Sequence, residues 1–208
     1  NSRKNVDIYR SFTFKNGQTW NGVPIICANM ATTGTFEVYN ILSQYCMLTC
    51  LHKFYTPEDF VNYENEHGPL NKDYFIVTTG IKDSDFENLE KICSTIETKW
   101  ICVDIANGYI PKMIEFCKRV RERFPDHILI AGNVATKEMS EAICLEAGVD
   151  IIKAGIGPGS ACTTRLKTGI GIPQLSCVMD CADAVHGINH FVISDGGITC
   201  PGDLSKAF

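Results

Sequence analysis

The sequence predicts an α/β fold, a (β/α)8 TIM barrel of which about seven βα units are present. Three observations carry this. Short apolar or β-branched runs alternate with helix-like segments in repeats of about 25 residues, the pattern of a parallel sheet with helices outside it. The residues suited to chemistry fall at the C-terminal ends of the strand-like runs, where such barrels carry function. The rival, an open doubly wound sheet, lacks its fingerprint, because no GxGxxG opens the first helix.

Each element has its own justification. Residues 24–28 form a short apolar run, and residues 35–45 read as a helix. Residues 47–52 are strand-like and 57–66 helical, with Thr56 as N-cap and Pro57 at the first helical position. The third strand covers residues 74–78, and the helix at 84–97 starts at a Ser-Asp cap. Residues 100–105 and 111–124 form the fourth pair, and 127–131 and 137–147 the fifth. The sixth strand spans 151–155 and leads through a long cysteine loop to a helix at 173–186. Residues 191–194 are the seventh strand, and 201–208 begin another helix.

Composition narrows the function. Apolar residues make up 45% of 208, enough for a sizeable core. The net charge of −5 leaves no basic stripe for nucleic acid and no polybasic patch for a membrane surface. No apolar run approaches transmembrane length. The eleven cysteines form no CxxC pair and no metal-type pattern with histidine. Their odd number, without a visible signal peptide, argues for reduced thiols and a cytoplasmic setting. Most lie in apolar segments, where cysteine packs as a small hydrophobe. Cys46 and Cys50, like Cys177 and Cys181, are four apart, which on a helix means one face.

The segment from 150 to 165, DIIKAGIGPGSACTTR, is the most chemically suggestive. A β-branched run opens into a glycine-rich turn that ends in Cys162, Thr163, Thr164 and Arg165. Glycine lets backbone groups approach a ligand closely. A thiol on such a loop, with hydroxyls and a guanidinium beside it, can act as a nucleophile. A barrel loop with a passive cysteine fits the same pattern.

GIGPGSACTTR resembles the catalytic-cysteine loop of the inosine-monophosphate dehydrogenase / guanosine-monophosphate reductase family. The proline of GPGS and the CTTR ending are similar to the reductase branch. The likeness continues through PIICANM, CLHKFY, CVDIANGY, AGNVAT, GIGIPQLSCVMDCADAVHG and ISDGGITCPGD. It implies NADPH-dependent reductive deamination of GMP to IMP and ammonia. Cys162 would attack C2 of the purine to give a thioimidate, and Thr164 would relay protons; Thr163 reads as structural. A hydroxyl has too high a pKa for that alone, and the family's partner glutamate lies beyond residue 208.

The resemblance also implies binding roles. Lys53, Asp104, Ile105, Ala106, Ile156 and Gly157 would contact the cofactor, with Thr78 and Thr79 in reach. Ser160, Asp195, Gly196 and Gly197 would hold the nucleotide, the aspartate on ribose hydroxyls and the glycine N–H groups on phosphate. Gly157, Gly159, Cys162 and Arg165 match positions giving oxygen ligands to K⁺. The resemblance implies a homotetramer and a small-molecule partner, GMP or IMP. Ala31-Thr32 departs from the Asp-Thr pair expected in the reductase pattern.

Compared with the family pattern, the chain stops in the seventh helix, so residues 1–208 read as one incomplete barrel domain. No regulatory domain is inserted between His67 and Tyr74, which argues against the dehydrogenase branch, the NAD-dependent alternative. A non-catalytic nucleotide-binding subunit is the other alternative. Asn133 receives no role, His52 a structural one, and His67, His127, His186 and His190 read as surface or capping residues. The charged run 118–123 reads as the solvated face of its helix.

Overall fold

The computed structural model describes residues 2–208. Its first feature is a hairpin that the sequence reading does not anticipate. Strands β1 (Arg10–Thr13) and β2 (Thr19–Gly22) pair antiparallel, with Phe12 opposite Trp20. The main sheet follows: β3 (Ile26–Cys27), β4 (Leu48–Leu51), β5 (Phe75–Thr79), β6 (Trp100–Asp104), β7 (Ile128–Val134), β8 (Ile151–Ala154) and β9 (Phe191–Ser194). All neighbours are parallel and the spatial order is the chain order.

Helices separate the strands: α1 (Phe36–Leu42), α2 (Pro57–His67), α3 (Asp83–Thr95), α4 (Pro111–Arg123), α5 (Lys137–Ala147), α6 (Thr164–Thr168), α7 (Gln174–Val185) and α8 (Pro201–Ala207). Thr56 and Pro57 start α2 as expected, with a capping box between Thr56 and Asp59. The expected Ser-Asp cap of α3 is displaced. Lys82 is its N-cap, and Asp85 accepts from the Lys82 N–H instead. The long cysteine loop contains a short helix, α6, that the sequence does not announce.

Period-two alternation divides the strand residues between two cores. Leu51, Phe75, Val77, Ile101, Val103, Leu129, Ala131, Ile152 and Ala154 pack against the helices. Leu48, Cys50, Ile76, Trp100, Cys102, Ile128, Ile130 and Ile151 pack against one another and against hairpin residues Phe14 and Trp20. The second set is the barrel interior. Trp20 meets Trp100 edge-on at 5.8 Å and donates its indole N–H to the Asp73 carbonyl at 2.8 Å. Trp100 and Ile128 open their strands, so the hairpin closes the N-terminal end of the barrel.

β3 and β9 are the edges of this sheet, yet residues from both line one apolar cavity. The sheet therefore curls until its edges face each other. The architecture is a TIM-barrel-like arc of seven parallel strands. Among the described residues, no helix is long and apolar enough to cross a membrane.

Several side-chain expectations change. Cys46 sits at a left-handed corner and Cys50 on β4, so they share no helix face. Cys177 and Cys181 do share the buried face of α7. His190 is not at the surface: it is 3% exposed, and its Nδ1 lies 2.7 Å from the Val149 carbonyl. Arg121 leaves the solvated face of α4 to donate to the carbonyls of Pro125, His127 and Gly148 and to Asp150.

Candidate active site

The C-terminal ends of β6, β7, β8 and β9 converge on Lys153. Because Ile151 points into the barrel, the period of two turns Lys153 inward as well. Its residue is 8% exposed, and a buried ammonium needs partners. Its Nζ donates to Asp104 Oδ2 at 2.6 Å, Asp195 Oδ2 at 2.6 Å and Asn133 Oδ1 at 3.0 Å. Three donors meet three acceptors. Burial pulls the Lys153 pKa down, but Asp195 and Asp104 outweigh it and the pKa is raised, so the group is charged.

Asn133 completes the network. Its amide donates to Asp195 Oδ2 at 2.6 Å and to the Gly155 carbonyl at 2.8 Å. Asp104 and Asp195, expected in different subsites, are thus brought to one cluster. Gln174 braces the adjacent strand ends. Its amide reaches the Ala154 carbonyl at 2.9 Å and Ser194 Oγ at 3.2 Å. The sequence reading missed all three residues. Lysine at an inward position of an apolar strand was the available signal for Lys153. Asn133 and Gln174 carry no pattern of their own.

The loop after β8 leaves the sheet at Gly155, whose φ is +140°. A Cβ there would lie 2.5 Å from the Asp195 carbonyl oxygen, so only glycine lets the ends of β8 and β9 meet. Ile156 is buried, Gly157 half-buried and Ser160 exposed. Arg165 folds back beneath the loop, donating from Nε to the Ile156 carbonyl at 3.2 Å and from Nη2 to the Ile172 carbonyl. This clamps the base of the loop.

Cys162 stands exposed on that clamped loop. Its N–H donates to the Gly159 carbonyl at 3.0 Å, and its Sγ lies 3.3 Å from Thr164 Oγ1. The Thr164 side chain, its backbone N–H and the charge of Arg165 lower the thiol pKa. Burial instead raises Cys117 to about 12, Cys144 to about 12 and Cys93 to about 11. The one exposed thiol besides Cys162 is Cys200, the N-cap of α8. Asp195, Gly196 and Gly197 follow β9, and the two glycines pack against Pro158 of the cysteine loop.

The remaining expected residues lie at the same end. Lys53 is exposed just after β4, 6.0 Å from the Phe54 ring centroid. Ile105 exchanges backbone hydrogen bonds with Gly132 and Asn133, and Ala106 is exposed beside it. Thr78 and Thr79 are buried, with hydroxyls turned to Cys50 and to the Asp85 carbonyl. His52 stacks on Tyr55 at 4.0 Å. Among the described residues no three His, Cys, Asp or Glu side chains gather as a metal site. Backbone oxygens are the donors available to a cation in the loop, and those of Gly159 and Arg165 each already accept one N–H.

Residues 4–208 match the family model described as IMP dehydrogenase / GMP reductase domain. The chain belongs to the IMP dehydrogenase / GMP reductase family. GMP reductase 2 of Homo sapiens is 52% identical over 209 residues, and the GMP reductase of Tolumonas auensis is 49% identical over 210. Each alignment covers all of this chain and 60% of the relative, so the chain spans about three-fifths of those proteins. The crystal structure of inosine 5′-monophosphate dehydrogenase from Legionella pneumophila superposes with a TM-score of 0.83 at 30% identity, over 61% of its chain.

Proposed function

We propose that the full-length protein carries out the NADPH-dependent reductive deamination of GMP to IMP and ammonia. The observation that carries this reading is Cys162, the exposed thiol whose pKa Thr164 lowers, on a loop clamped beside Asp195. The reductases at about half identity, together with the GPGSACTTR loop, favour this branch over the dehydrogenase.

In this reading the Cys162 thiolate attacks C2 of the purine and forms a C–S bond. Thr164 passes a proton toward the 2-amino group, which leaves as ammonia when its C–N bond breaks. NADPH, when bound, would supply the hydride that C2 takes up. The C–S bond then breaks, IMP departs and the thiolate is restored. Asp195 accepts ribose hydroxyls through the oxygen that Lys153 leaves free. Ser160 and the N–H groups of Gly196 and Gly197 hold phosphate.

The cofactor side consists of Lys53, Asp104, Ile105, Ala106, Ile156 and Gly157. An exposed lysine and a half-buried carboxylate at one mouth suit a dinucleotide with phosphates and ribose hydroxyls. The carbonyls of Gly157, Gly159, Cys162 and Arg165 suit a hard monovalent cation such as K⁺. Residues 1–208 act as one barrel domain without an inserted regulatory domain, and the protein works as a cytoplasmic homotetramer.

The test is to mix full-length protein with GMP and NADPH, following absorbance at 340 nm and ammonia release. GMP-dependent oxidation that disappears in Cys162→Ala supports the reading. NADH formation from IMP and NAD⁺, without oxidation by GMP, would move it to the dehydrogenase.

A further inference from the structure

We infer that Lys153 is a positioning residue shared by both ligand subsites and that it couples them. The inference rests on the roles proposed above for Asp104 and Asp195.

The geometry is asymmetric in a useful way. Lys153 holds one oxygen of each carboxylate, Oδ2 in both cases, at 2.6 Å. No protein donor engages the Oδ1 atoms among the described residues, and both aspartates are partly open to solvent, at 24% and 21% side-chain exposure. Each aspartate therefore keeps one acceptor for a ligand while the other is fixed by the same buried ammonium. Asn133 adds a second tie to Asp195 Oδ2 and bonds Lys153 as well.

A buried cation between two carboxylates cannot serve them independently. A ligand donor on one carboxylate changes that group's hold on Lys153, and so the pull Lys153 exerts on the other. The surroundings offer no substitute. Besides the two carboxylates, the groups facing Lys153 are the thiol of Cys102 on β6 and the neutral amide of Asn133 on β7. Without the ammonium, two carboxylates would share one low-dielectric mouth, an arrangement that favours proton uptake by one of them.

The experiment measures equilibrium binding of GMP and of NADPH, each alone, to full-length protein carrying Lys153→Met or Lys153→Arg. The methionine variant is expected to weaken both ligands by about fivefold or more at pH 8, a typical size for coupling between sites. Part of that loss returns as pH is lowered to 6. The arginine variant, which keeps the charge, retains most of both affinities. A well-folded methionine variant that binds both ligands as the parent does, or loses only one, overturns the inference. If the methionine variant does not fold, Asp104→Asn decides instead. Coupling through Lys153 predicts that it changes the affinity for GMP alone by about threefold or more, within the range of site-to-site coupling. An unchanged GMP affinity there overturns the inference. Failure of the parent protein to bind GMP would instead overturn the functional reading.

Discussion

Cys162 Sγ lies 3.3 Å from Thr164 Oγ1, two residues along a loop that Arg165 clamps from beneath. The hydroxyl is therefore placed to stabilise the thiolate, and with Arg165 it lowers the thiol pKa. A lowered pKa keeps the thiolate present at lower pH than in an ordinary cysteine. Alkylation of Cys162 by iodoacetamide, followed by mass spectrometry of its peptide, should therefore show a midpoint below that of an unperturbed thiol. Thr164→Val should move the midpoint upward. An unchanged midpoint would remove Thr164 from the activation of Cys162.

Arg121 and Asp150 yield a prediction about stability. Arg121 Nη2 donates to Asp150 Oδ2 at 2.6 Å, and the same oxygen accepts the Leu129 N–H at 2.8 Å. The aspartate side chain is 4% exposed. Removing one partner of such a buried pair leaves an uncompensated charge, so Arg121→Met should cost about 3 kcal/mol. Urea unfolding measures this, and a loss below about 1 kcal/mol, the range of an exposed surface pair, would show that the pair is solvated.

This pair also shows where the sequence could be read and where it could not. The seven strands were legible because buried β-branched runs and helix caps are local signals, and β9 and α5 match residue for residue. The cysteine loop was legible because its glycines and polar residues interrupt an apolar pattern. Arg121 was misread because Gly148 and Asp150, which it reaches just ahead of β8, lie 27 and 29 residues away, beyond any helical period. The hairpin was missed because its aromatic residues are core only once Trp100 and Phe191 are beside them. Lys153 was missed because its carboxylate partners lie 49 and 42 residues away.

His190 makes stability depend on pH. Its Nδ1 is committed to the Val149 carbonyl, and its buried Nε2 has no partner in the described structure. Burial, with the charge of Lys15, lowers its pKa below the ordinary 6.5. Both folded and unfolded forms are neutral above the unfolded value, so stability there is flat. As pH falls from that value through the lower folded one, the unfolded chain takes up the proton first and stability declines. His190→Asn, whose amide can donate to Val149 from the Nδ1 position, should flatten this acid decline in thermal melts between pH 8 and 5. An identical pH slope in the variant would show that other groups carry it.

Gly155 separates positioning from folding. The β8 and β9 ends meet there, with the Asp195 carbonyl 2.5 Å and the Gln174 Oε1 2.9 Å from where a Cβ would stand. Its φ of +140° is also one that alanine resists. The clash lies at the mouth, whereas the barrel interior of Ile128, Ile130 and Ile151 is untouched by it. Gly155→Ala should therefore keep the circular dichroism of the parent while pushing Asp195 away from the cysteine loop. A displacement of that kind between two groups that act on one substrate costs about 100-fold in kcat/KM. The measurement is steady-state GMP-dependent NADPH oxidation by the full-length variant. A loss confined to the GMP KM would mean that only ribose binding suffers. A fall in kcat as well is expected, because the same movement shifts C2 relative to Cys162. Activity within about threefold of the parent, far from the loss that misplacement brings, would show that the loop absorbs the methyl group and that the junction is not what aligns the two strands.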